Sequence, residues 1–215
     1  MLELSIAILA GGKGSRIGKE KAFLKVNGVP LIKLIYDRIS PLSDDIMIII
    51  GNKSAEEFKK LLPASAKILN DFYYTMSPVG GLITAALSTT KPYFAAVAVD
   101  MPLINPKIIE KLYFMAQGHS AAIPLLKDGT LEVLCAVYSS EAIKKQKADS
   151  VRSLKELAKR LPDPLFIDED ILRDVDSELE SFFNVNTKED FSALLEKLKM
   201  LQVKNNHELK TKTLV

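Results

Sequence analysis

Four short, almost wholly apolar runs punctuate the first half of the chain: LSIAIL at 4–9, IMIII at 46–50, AKIL at 66–69 and YFAAVAV at 93–99. Runs this short, with no polar alternation, read as strands buried on both faces, the condition of a parallel sheet. Between them apolar residues recur three or four positions apart, which predicts helices at Leu31–Ile39, Ala55–Leu62, Gly81–Leu87 and Pro106–Ala116. Strands alternating with helices predict right-handed crossovers and an α/β three-layer sandwich around a mostly parallel sheet.

After Gly118 the rhythm changes. An extended AAIP, a turn at Lys127 to Thr130 and a second extended stretch, LEVLCAVY, predict a hairpin-like pair added to the sheet. Two helices follow. Val151, Leu154, Leu157 and Leu161 form one apolar stripe, and Phe191, Leu194, Leu195, Leu198 and Leu201 form the other, with Thr187 as N-cap and Asp190 three residues on. No repeat or Pro/Gly/Ser-rich linker divides the chain, so residues 1–201 read as one domain. Residues 202–215 read as a polar, disordered tail whose periodicity is lost from Lys204.

Composition narrows the chemistry. Of 215 residues 47% are apolar, enough for a large core, and the formal net charge is only +2, without the basic stripe that nucleic acid requires. A small charged substrate is the better expectation. One cysteine, Cys135, and two histidines, His119 and His207, exclude an internal disulfide framework and a Cys/His zinc site. Cys135 reads as a small core residue and His119 as structural or surface. The run Leu4 to Ala10 is too short for a signal peptide or membrane span, so a soluble, cytoplasmic protein is expected.

The first strand runs into Gly11, Gly12 and Gly14, then Ser15 and Arg16, an arrangement in which backbone N–H groups can approach an anion. It matches neither familiar phosphate pattern: Ile17 stands where the dinucleotide fingerprint needs glycine, and Glu20 where the P-loop needs Ser or Thr after Lys19. What remains is a glycine loop with two cations, Arg16 and Lys21, spaced to meet a triphosphate. Ligands of open α/β sheets sit beyond the carboxyl ends of the strands, where Asn52, Asp71, Asp100, Asn184 and Asn186 each follow an apolar run. Asn and Asp also favour turns for local reasons, so no single one of them is decisive. Asp100 is the strongest, because a carboxylate closing a buried strand suits magnesium, a hard oxygen-seeking cation. Asn184 and Asn186, two apart in extended chain, would point to one side.

LAGGKGSRIGKEKAFL, AVDMPL, IPLLKDGTLEVLCAVY and FFNVNTKEDF together resemble the molybdenum cofactor guanylyltransferase family over most of residues 1–200. The resemblance implies a Rossmann-like nucleotidyltransferase fold and transfer of GMP from magnesium GTP to the phosphate of molybdopterin cofactor, with release of pyrophosphate. It implies that Leu9, Ala10, Gly11 and Gly12 form the guanine and phosphate loop, and that Lys21 contacts the phosphates. It further implies that Asn52 and Asp71 contact the nucleotide, that Asp100 holds Mg2+ and that Asn184 and Asn186 lie on the acceptor side. Arg16, Lys21 and Asp100 would carry catalysis, and cofactor-carrying or acceptor molybdoenzyme proteins are implied partners. SPVGG at 77–81 stands in place of a GPLAG-like loop, Glu20 in place of the usual Asp and Val133 in place of the usual Pro. Related cytidylyltransferases more often carry LAAG, so Gly11 favours guanine over cytosine. The alternatives are a CMP or GMP transferase acting on another phosphorylated acceptor, and a nucleotide-binding regulator that has lost catalysis.

Overall fold

The computed structural model describes residues 1–11, 20–73 and 79–212, with side chains to residue 200. The first strand, β1 (Leu4–Leu9), is its axis. Even-numbered Leu4, Ile6 and Ile8 point to one face of the sheet and Ala7 and Leu9 to the other, so a run without polar alternation can be buried on both sides.

A short hairpin, β2 (Lys25–Val26) with β3 (Val29–Pro30), leads into α1 (Leu31–Ile39). Its turn is Asn27–Gly28, both with positive φ (49° and 83°), the pairing that two-residue hairpin turns favour. Then come β4 (Ile46–Ile49), α2 (Ala55–Lys59), β5 (Lys67–Leu69), α3 (Gly80–Ser88), β6 (Tyr93–Ala98) and α4 (Pro106–Ala116). The remaining elements are β7 (Ala121–Leu125), β8 (Cys135–Ser139), α5 (Ser140–Lys144), α6 (Leu154–Arg160), β9 (Pro164–Asp168), α7 (Glu169–Leu172) and α8 (Lys188–Lys212).

Seven strands form one sheet in the order β5-β4-β1-β6-β8-β7-β9, all parallel except β8. On one face α1, α2 and α4 cover Leu4, Ile6, Ile8, Ile46, Ile48, Val97 and Val137; on the other α3, α5 and α6 cover Ala7, Met47, Ile49, Phe94, Ala96 and Tyr138. These are the three layers expected. Helix α3 approaches closely because it starts Gly80–Gly81: a Cβ on Gly81 would collide with the Leu9 side chain.

The LEVLCAVY stretch does not pair along its whole length. The chain bends at 131–134, held by Glu132 N–H to the Pro124 carbonyl (3.0 Å), and enters the strand only at Cys135. β8 then slots between β6 and β7 rather than extending the edge. Cys135 is buried there, and burial pushes its thiol pKa far up, which makes it an inert core group. Helix α2 is shorter than its apolar pattern, ending at Lys59 in a turn that places the Leu61 and Leu62 N–H groups on the Phe58 carbonyl.

At the other end of the chain, Thr187 and Asp190 form a reciprocal cap: Asp190 N–H donates to Thr187 Oγ1 (3.1 Å) and Thr187 N–H to Asp190 Oδ2 (2.8 Å). The helix they open continues to Lys212, past the expected start of the tail. Its last residues, LQVKNNHELKTK, contain no Gly or Pro to stop it.

Candidate functional site

The carboxyl ends of β1, β4, β5, β6, β7 and β9 share one edge of the sheet, and the polar residues that follow them gather there. Ala10, the first residue beyond β1, donates its N–H to the Ile49 carbonyl at 2.8 Å, and Val99 donates to the Leu9 carbonyl at 3.1 Å. The three strand ends are thereby locked side by side. Gly11 follows, packed so closely on the next loop that a Cβ would lie 3.0 Å from the Gly51 nitrogen. A side chain here would press on the backbone at Gly51, so glycine is the residue that fits without a shift of that loop. Gly12 and Arg16 lie outside the described residues.

The centre of the site is an ionic cluster drawn from three distant parts of the chain. Lys21 Nζ donates to Asp100 Oδ2 at 2.7 Å and to Asn186 Oδ1 at 2.7 Å. Lys21 and Asp100 are each 20% exposed, so the pair is sheltered but open to a ligand. Asp100 Oδ1 and the third ammonium hydrogen have no partner among the described residues.

A small third core explains how these groups meet. Leu24, Val26 and Leu31 from the β2–β3 region pack with Leu103, Val185 and Leu194, and Phe191, Leu195 and Leu198 of α8 cover them. The apolar stripe of α8 therefore clamps the segment before it onto the segment after Lys21. Val185, buried in this core, donates its N–H to the Asp100 carbonyl at 2.8 Å. Its neighbours Asn184 and Asn186 turn the other way, as alternation along extended chain requires. Asn186 reaches Lys21, while Asn184 Nδ2 donates to the Phe182 carbonyl at 3.0 Å.

Asn52 and Asp71 stand apart from this cluster in their bonding. Asn52 is exposed and its side chain makes no hydrogen bond among the described residues. Asp71 is held by its own chain: Oδ1 accepts from Tyr73 N–H (2.8 Å) and Thr84 Oγ1 (3.1 Å), and its carboxylate abuts Gly80 at the amino end of α3. That end of a helix favours an anion.

Two features escaped the sequence pattern. Lys53 Nζ donates to the Ala10 carbonyl at 2.6 Å and pairs with Glu20 Oε1 at 2.5 Å. The N-K-S turn after a strand looks like ordinary loop, and nothing local announces this partner. Glu132, at the bend before β8, makes no hydrogen bond or ion pair through its carboxylate among the described residues. Burial raises its pKa, Lys155 opposes this, and the nearby Asp100 and Asp128 add to it. His119, expected to be structural or at the surface, has Nδ1 2.7 Å from Asp163 Oδ2 in an exposed contact away from this edge.

The donor set suits a divalent cation of the magnesium type. Asp100 Oδ1 and the Asn186 amide oxygen are hard oxygens, and magnesium usually takes one or two carboxylates together with substrate phosphates and water. No group of three His, Cys, Asp or Glu residues able to hold a metal occurs among the described residues, so phosphate oxygens would have to complete the shell. Among the same residues no helix is long and apolar enough to cross a membrane.

Comparisons with known proteins agree with this architecture. A probable molybdenum cofactor guanylyltransferase of Thermococcus gammatolerans is 33% identical over 194 residues, covering 87% of this chain and 97% of the relative. One of Methanosarcina mazei is 29% identical, covering 89% of each. The crystal structure of molybdopterin-guanine dinucleotide biosynthesis protein A from Archaeoglobus fulgidus superposes with a TM-score of 0.79 at 27% identity, covering 92% of this chain and all of that one. The family model of the MobA-like NTP transferase domain matches residues 6–164, and with that match the chain belongs to the MobA-like NTP transferase family.

Proposed function

We propose that this chain transfers GMP from magnesium GTP to the phosphate of molybdopterin cofactor, forming the guanine dinucleotide cofactor and releasing pyrophosphate. The observation that carries the reading is the Lys21–Asp100–Asn186 cluster beside the end of β1, in a chain similar to guanylyltransferases over nearly its whole length.

The chemistry asks for charge management. A phosphate monoester has a second pKa of about 6, so the attacking oxygen is ionised near neutrality and needs no general base. Lys21 is fixed by two oxygens and, among the described residues, keeps one N–H to offer a phosphate, so it opposes negative charge on the α-phosphate and departing pyrophosphate without reorganising. Arg16 adds a second cation in this reading. Asp100 and Asn186 would hold Mg2+, which when bound supplies Lewis-acid polarisation of the phosphates. Leu9, Ala10, Gly11 and Gly12 form the base and phosphate side, Gly11 favouring guanine, with Asn52 as an unspent amide facing solvent at the same edge. Asp71 acts by holding the start of α3. Asn184 lies toward the acceptor, with Asn186 between the acceptor and Lys21. GTP and magnesium are supplied in the cytoplasm, where a cofactor-carrying or acceptor molybdoenzyme would be met.

The deciding experiment is pyrophosphate release from each of the four nucleoside triphosphates with magnesium, with and without molybdopterin. Release is expected from GTP and to depend on molybdopterin. Preference for CTP would move the chain to another donor, indifference to molybdopterin would move it to another phosphorylated acceptor, and saturable GTP binding without turnover would make it a regulator.

A further inference from the structure

Lys53 takes no part in the proposed chemistry, yet among the described residues its ammonium is held at two points at this edge of the sheet. Its ammonium joins Ala10, the residue before the glycine-rich segment, to Glu20, the residue after it. Both side chains are sheltered, Lys53 at 18% and Glu20 at 30% exposed. The lysine's own backbone is fixed: its N–H donates to the Ile50 carbonyl, and Asn70 Nδ2 donates to the Gly51 and Lys53 carbonyls at 3.0 and 3.2 Å. Gly51, with φ at +66°, sits under Gly11. One well-anchored cation thus fixes both ends of the segment, and the residue immediately beyond Glu20 is Lys21.

We infer that Lys53 and Glu20 form an electrostatic strap that sets the spacing between the nucleotide-binding loop and Lys21, and so act as positioning residues for the donor nucleoside triphosphate. The inference rests on the nucleotidyl-transfer reading. With the strap intact the two ends are held at one separation before nucleotide arrives. Without it the nucleotide must impose that separation itself, and its apparent affinity falls by the fraction of chains that are competent. Once nucleotide is bound the reacting groups are unchanged, so the loss falls on donor affinity and not on turnover at saturation.

A rival role for Lys53, direct contact with a phosphate or base, makes the opposite forecast for its partner. If the ammonium touched the nucleotide, Glu20→Gln would free it and leave affinity unchanged or improved. If it is a strap, Glu20→Gln and Lys53→Met weaken binding alike, and the double variant is no worse than either, because both remove one coupling. The test is calorimetric titration of magnesium GTP, without acceptor, into the full chain and these three variants, with Lys53→Arg as the conservative control and thermal unfolding of each. Each single variant is expected to bind about tenfold more weakly, the scale of one close, sheltered charge pair. Lys53→Arg should recover most of that loss, with kcat at saturating GTP within about twofold throughout. Glu20→Gln binding as tightly as wild type, or losses that multiply in the double variant, would overturn the strap alone. A wild-type chain that binds no nucleoside triphosphate would overturn both the strap and the nucleotidyl-transfer reading.

Discussion

The same central strands end in two polar clusters of opposite character. At the amino edge Ser5 is the second residue of β1, and its hydroxyl donates to Asp45 Oδ2 at 2.6 Å and contacts Thr89 Oγ1; Lys67 reaches Asp45 Oδ1 at 2.6 Å. Ser5, Asp45 and Thr89 are all under 7% exposed. At the carboxyl edge, Lys21, Asp100 and Asn186 are joined by bonds of similar length, but stay partly open and, among the described residues, keep a carboxylate oxygen and an ammonium hydrogen unspent. A buried polar cluster that satisfies itself fixes the strands and has nothing left for a ligand. The open one has donors and acceptors left over, and that surplus, more than the mere presence of charge, marks a site.

Removing the carboxylate at each end should separate the two roles. Asp100→Ala is expected to slow GMP transfer by about 10²-fold or more, the scale of a single electrostatic contributor, while the folded chain keeps its thermal midpoint. Near-wild-type turnover by that variant would remove Asp100 from the mechanism. Lys21→Met, which leaves Asp100 without its partner, should cost about 10- to 100-fold in kcat, read in the same pyrophosphate assay. At the other end, Asp45→Ala removes the carboxylate that accepts from the buried Ser5 hydroxyl and leaves the Ser5–Thr89 pair one acceptor short. It should lower stability by about 2 kcal/mol in urea denaturation, with turnover per folded molecule unchanged. A variant that kept its stability and lost activity would contradict the comparison.

Much of the carboxyl edge was legible because the sheet interior writes itself in unbroken apolar runs. LSIAIL and YFAAVAV became β1 and β6, and α1 and α4 fall on the predicted residues, each with a proline at its start. Asp100 could be found because it directly follows such a run. β9 could not: it is an edge strand paired on one side only, and its PLFID is partly exposed, so no buried period marks it. Nor could the strand order, since β8 reaches its place through the bend at 131–134, a tertiary arrangement with no local sign. The Asn27–Gly28 turn was written plainly but flanked by strands of two residues, too short to register as a pattern. Lys53 and Glu20 are 33 positions apart and meet only when the loops after β1 and β4 are brought together. Pairing across such a distance is a property of the fold, not of the spacing.

The smallest effect expected is also the one that tests most directly whether surplus charge at the carboxyl edge has a cost. Glu132 has its pKa raised from the ordinary 4.5, chiefly by burial, with Asp100 and Asp128 adding to the shift against Lys155. The native chain therefore binds more protons at this residue than the unfolded chain does just above the ordinary value. By linkage its contribution to stability falls as pH rises through that window and then stays level. Asp190 behaves in the opposite sense: hydrogen bonds from the Asn186 and Thr187 N–H groups lower its pKa, so its stabilisation is present above the ordinary value and lost as pH falls through the folded one. Glu132→Gln should accordingly be more stable than wild type at neutral pH, by a small margin that closes on acidification, whereas Asp190→Asn should be less stable at neutral pH, by a margin that also closes. Urea midpoints measured from pH 4 to 8 distinguish the two. Parallel curves for wild type and Glu132→Gln would show that the unpaired carboxylate carries no strain, and that the open edge of the sheet costs the fold nothing at this position.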